Sequence, residues 1–74
     1  MYYNINMQWD PEAAVWIAES DDVPGLVLES GSFDALVERV RFAVPELLEL
    51  NNCRVDNRDL MFRTERLEKV HAYG

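Results

Sequence analysis

No lysine or arginine occurs before Arg39, and all seven basic residues lie from there onward. The first 38 positions instead hold eight acids, from Asp10 to Glu38, within a formal net charge of −7. An acidic half of this kind repels phosphate backbones and favours basic partners. A plainer reading is that acidity keeps a small protein soluble, and composition alone favours it. Cysteine is nearly absent too. Cys53 has no second cysteine to pair with, which excludes an intrachain disulfide and fits a reducing compartment. His71 is the sole histidine and stands far from Cys53, so no metal site is expected. No apolar run approaches the roughly 18 residues of a membrane span. The start, MYYNINMQWD, lacks the basic and apolar regions of a signal peptide, so the cytoplasm is the expected location. A chain of 74 residues forms one small domain, of the size that gains stability from disulfides, a metal or oligomerisation. With the first two excluded, a homodimer is expected.

The chain is organised around residues 15–30, VWIAESDDVPGLVLES. An apolar run gives way to the acidic patch at residues 19–22, then to a Pro-Gly turn, then to a second apolar run. Pro24 presets the φ of the second turn position, and Gly25 supplies the positive φ that a type II turn needs at the third. Upstream, Tyr3, Ile5, Met7 and Trp9 alternate with polar residues, which predicts a half-buried strand over about residues 2–9. Asp10-Pro11 opens a turn. A second strand over about 14–19 places Val15 and Ile17 on one face and Trp16 on the other. Apolar residues on both faces mark it as central, or as covered on its outer side. A short third strand, about 26–30, completes an antiparallel meander.

Ser32 has the character of a helix N-cap, and Asp34 puts negative charge where the helix dipole is positive. Phe33, Leu36, Val37, Val40, Ala43, Val44, Leu47 and Leu48 form one apolar stripe at three- and four-residue spacing. Pro45 interrupts the hydrogen bonding without breaking the phase of the stripe. The prediction is one helix over about 33–50, kinked near residues 41–45. Asn51 and Asn52 suit its end. Alternation of Leu60, Phe62 and Thr64 with Met61, Arg63 and Glu65 predicts a fourth strand over about 58–66. Residues 67–74 are less patterned and expected to fray. The expected fold is α+β, a two-layer β-β-β-α-β sandwich with the helix on one face of the sheet.

Trp9-Asp10, VWIAESDDVPGL and the helix ending VPELLELN together resemble the HicB-like superfamily, and within it small stand-alone bacterial domains of unknown function. The resemblance covers about residues 3–52. It implies the same β-β-β-α-β arrangement and a protein-interaction role, since HicB antitoxins neutralise a small basic ribonuclease toxin with this domain. Those antitoxins bind DNA through an added C-terminal segment. Here only residues 67–74 follow the fourth strand, and ESGSFDAL matches the Gly-containing cap of typical antitoxins only loosely. No DNA-binding segment is therefore expected.

The candidate partner or dimer contacts are Trp16, Glu19, Asp21, Asp22 and Phe42. Trp16 faces away from Val15 and Ile17, so an interface anchor and a core residue weigh about equally. Trp9, in line with Ile5 and Met7, reads as core. Phe42 lies opposite the helix stripe, although single exposed apolar residues are ordinary. The three acids lack the ligand pattern of a calcium loop and read first as a solvated turn, then as a docking corner for a basic protein. Neither Cys53 nor His71 has a placed partner for nucleophilic or acid-base work, and no cofactor motif is present. The expectation is a non-enzymatic protein-interaction domain. Its rivals are a nucleic-acid binder, because the fold resembles half of a double-stranded-RNA-binding domain, a self-associating domain of unknown role, and a small enzyme. The acidic balance argues against the first, and no assembled site supports the last.

Overall fold

The computed structural model describes residues 2–54, 59–67 and 72. The connection at residues 55–58, His71 and most of the tail expected to fray lie outside the described residues. Five elements follow in order: β1 (Tyr2–Asp10), β2 (Val15–Glu19), β3 (Val27–Ser30), α1 (Phe33–Leu50) and β4 (Asp59–Glu65). The α+β class and the expected β-β-β-α-β order are those observed. The sheet runs β3-β2-β1-β4. The first three strands form the antiparallel meander, whereas β4 joins the far side of β1 in parallel. Only a crossover connection makes a parallel pair, and α1 provides it.

The strand alternation explains the core. Tyr3, Ile5 and Met7 of β1 are buried beneath the helix, while Asn4, Asn6 and Gln8 face the other way. Leu36, Val40, Val44 and Leu48 are the buried residues of α1, four apart along one stripe. Phe33, Val37, Ala43 and Leu47 pack beside them. Burying a side chain of this size contributes about 1.5–3 kcal/mol.

Each end of the helix is closed by the sequence beside it. At the start, Ser32 Oγ accepts from the Ala35 N–H at 3.2 Å, and Ser30 Oγ accepts from the Ser32 N–H at 3.1 Å. At the finish, Asn52 takes φ 56°, the Cys53 N–H donates to the Leu48 carbonyl, and the Asn52 N–H donates to the Glu49 carbonyl. This pair of bonds is a Schellman closure, with Asn at the left-handed position that glycine usually fills. It gives half-buried Cys53 a structural place.

The helix runs unbroken from Phe33 to Leu50 with Pro45 inside it. Arg41 and Pro45 are both exposed, so the Arg41 carbonyl that loses its N–H partner lies on the side open to water.

The Pro-Gly turn also forms as expected. The Leu26 N–H donates to the Val23 carbonyl at 3.2 Å, and Gly25 has φ 79°. Both flanking side chains, Val23 and Leu26, are buried. The turn thus plugs the core under the last turns of α1. A Cβ at Gly25 would stand 3.6 Å from the Leu47 side chain, which leaves room, so the positive φ is what favours glycine there.

Candidate interaction surface

Trp16 does not face outward. The four-residue connection between Asp10 and Val15 sets Trp9 directly opposite Trp16, on the helix side of the sheet. It is Val15 and Ile17 that lie on the helix-free face, half-buried. The reversal follows from the pleat: Ala18, fully buried, pairs with Met7, and Trp16 lies two residues from Ala18 on the same face. The two indoles meet edge-on at 5.4 Å between centroids, and Trp16 meets Phe33 edge-on at 5.0 Å. The Arg66 guanidinium carbon sits 4.2 Å above the Trp9 ring and 5.8 Å from that of Trp16. Edge-on aromatic pairs contribute about 0.5–1.5 kcal/mol each beyond area burial. The cluster therefore seals the end of the sandwich where α1 begins, and the cation stacked on it fixes the exit of the chain from β4.

The acidic residues lie toward the other end, and they divide by role. Glu19 is exposed on the helix-free face of β2, and Asp21 is exposed at the corner. Asp22 turns back onto β1. Its Oδ2 accepts from the Asn4 N–H at 2.7 Å and from Asn4 Nδ2 at 3.1 Å. Ser20 Oγ donates to the Asn4 carbonyl and accepts from the Asp22 N–H at 3.0 Å. Two short side chains thereby continue the β1–β2 ladder past the end of β2 at Glu19. Asp22 is exposed like Glu19 and Asp21, and it also ties the corner to β1.

The corner adjoins the C-terminal end of the helix. Asn51 Nδ2 donates to the Leu47 carbonyl at 2.8 Å and reaches the Pro24 carbonyl at 3.4 Å. A helix C-terminus carries partial negative charge and favours cations. This one has no basic residue in its last turn, while exposed Glu46 and Glu49 stand near it. Charge read along the sequence thus misses a second acidic feature, which only the fold brings beside the first.

On the helix-free side of the sheet, exposed Glu19, Glu29, Asp59 and Glu65 share the face with Arg63. A shallow groove of about 380 Å³ crosses it, lined by Asn6, Gln8, Glu19, Arg63 and Glu65 among others. A second groove, about 490 Å³, runs on the helix side between α1 and β4, along Val37, Arg41, Leu60 and Phe62. Phe42 projects from the back of α1 with 72% of its surface exposed. It lies on a different side of the molecule from the aromatic cluster, so Trp16 and Phe42 do not form one patch. Among the described residues no polar or charged side chain is buried, and no three His, Cys, Asp or Glu side chains converge as a metal site would need. No described helix is long and apolar enough to cross a membrane.

The family model described as "Domain of unknown function (DUF1902)" matches residues 2–73. Among solved structures, the chain is similar to the hypothetical protein TTHA1013 from the extremely thermophilic bacterium Thermus thermophilus. The identity is 36% and the TM-score 0.74, covering 97% of this chain and 100% of that one. No protein of curated function matches.

Proposed function

The chain belongs to the DUF1902 family, and from that premise we propose that it is a non-enzymatic protein-interaction domain, HicB-antitoxin-like, that docks a small basic protein such as a ribonuclease toxin. One observation carries the reading. Asn51 links the turn that follows Asp21 to the C-terminus of α1, which gathers Asp21, Glu46, Glu49 and the negative end of the helix dipole on one side of the molecule, with Arg54 following the helix end. Acids at a helix C-terminus cost stability, typically about 0.3–1 kcal/mol each. A cost of that kind is offset where a cationic surface docks.

The test separates binding from folding, because the same substitution acts on them with opposite signs. Glu49→Lys should stabilise the free domain slightly, by removing an acid from the helix end. Combined with Asp21→Lys it should slow association with a basic partner more than it speeds dissociation, since rim charges act mainly on the on-rate. Asp22 is left intact in this design because it holds Asn4. The partner to use is the product of a short basic ribonuclease-like reading frame adjoining the gene. Stopped-flow kinetics should show an on-rate that falls with salt and with the double substitution. An adjoining basic protein that does not bind, or whose on-rate ignores both, would remove the reading. A duplex RNA gel shift is expected to show no binding at moderate salt.

A further inference from the structure

We infer that two copies of this chain pair antiparallel along β4, about a two-fold axis through Met61, and join their sheets into one. The proposal is independent of the basic-partner reading, and its test uses the protein alone.

The two sheet edges are treated differently. The β3 edge has four residues, and its Glu29 carbonyl already accepts from Arg39 Nη1 at 2.9 Å. The β4 edge has seven residues, with neither proline nor glycine, and among the described residues no strand pairs with its outer side. Open edges of that length present unpaired N–H and C=O groups to another strand. The helix backbone approaches β2 and β3 more closely than β4, so Leu60 and Phe62 on β4 stay only partly buried. Met61 is 40% exposed on the opposite face. Both faces of the edge therefore offer apolar surface.

Charge selects the register. Antiparallel pairing about a two-fold axis normal to the sheet keeps each face on its own side, so the axis falls on a residue. An axis at Phe62 sets Asp59 against Glu65 of the second copy, with like charges opposed. An axis at Arg63 brings two guanidinium groups together. An axis at Thr64 does pair Arg63 with Glu65, but it sets Phe62 against charged Arg66 and Met61 against Leu67, both past the end of β4 at Glu65, so little of the strand itself is paired. An axis at Met61 sets Asp59 against Arg63 of the second copy, twice by symmetry. It also sets Leu60 against Phe62 of the second copy, twice, on the helix side, and Met61 against itself on the other. Opposite charges and apolar pairs across a strand pair are favourable, and like charges directly opposite are not. The charged side chains that guard the edge against other registers admit this one. The pairing also brings the two grooves beside α1 together across the axis.

Sedimentation equilibrium of the full chain should give a dimer at micromolar concentration. Asp59→Arg alone and Arg63→Asp alone should each weaken it, raising the dissociation constant by roughly tenfold or more, because each opposes like charges at two symmetric places. Mixing the two variants should restore association, since both symmetric contacts then join an arginine to an aspartate. Two misfolded chains would not rescue each other, so the mixture also controls for folding. Phe42→Ser should leave the dimer unchanged. A wild-type chain that stays monomeric, a mixture no tighter than either variant alone, or dissociation by Phe42→Ser would each overturn the proposal.

Discussion

At one edge of the sheet β3 is short, α1 rests on it, and Arg39 occupies one of its carbonyls. At the other edge β4 is longer, its helix-side residues are half-buried, and its charges alternate in sign along the helix-free face. An edge can thus be silenced by cover or left open to be read by charge. The same contrast locates stability. The side beneath α1 holds the closely packed core, whereas the β4 side is held to β1 by the parallel ladder and partial burial.

Substitutions probe that contrast, and the largest expected effect is on the covered side. Leu36 is fully buried, and Leu36→Ala should cost about 2–5 kcal/mol in urea unfolding. Leu60→Ala, on the open side, should cost clearly less in the monomer, because part of its surface is already in water. Equal losses would erase the distinction between the sides. A smaller effect separates the two acids of the corner. Asp22→Ala should lose about 1–2 kcal/mol through its bonds to Asn4, while Asp21→Ala should stay within about half a kcal/mol. If thermal unfolding treats them alike, Asp22 does not extend the ladder. The smallest effect compares the edges directly. Arg39→Ala uncovers the Glu29 carbonyl and should cost about 0.5–1.5 kcal/mol, whereas Arg63→Ala should leave monomer stability nearly unchanged.

Much of this architecture was legible in the sequence because it is local. Alternation marked β1, and three- and four-residue spacing marked α1. Ser32 and the Pro-Gly pair set a cap and a turn through their own side-chain and backbone preferences. What was not legible is long-range. Residues 59–65 carry a strand pattern, but nothing in them says that they pair with β1 rather than β3. That choice depends on the crossover made by α1. The face of Trp16 was readable in principle: a connection of four residues after Asp10 pairs Trp9 with Trp16 and so puts both on the Met7 side. The apolar character of Val15 and Ile17 pointed the other way, because a helix-free face can also hold half-buried aliphatic residues. Arg66 and Phe33 joined the two tryptophans only through tertiary packing. The role of Asp22 depended on Asn4, eighteen positions earlier, which no spacing rule connects to it.

The difference between the edges is decided by hydrogen exchange read residue by residue, at low and at high micromolar chain concentration. Exchange reports how often each amide opens to water. Amides on the outer side of β4, between Asp59 and Arg63, are expected to gain protection as concentration rises, while those of β3 do not change. Protection of β4 that is independent of concentration, or a concentration-dependent gain at β3 or around Phe42 instead, would contradict an open edge read by charge.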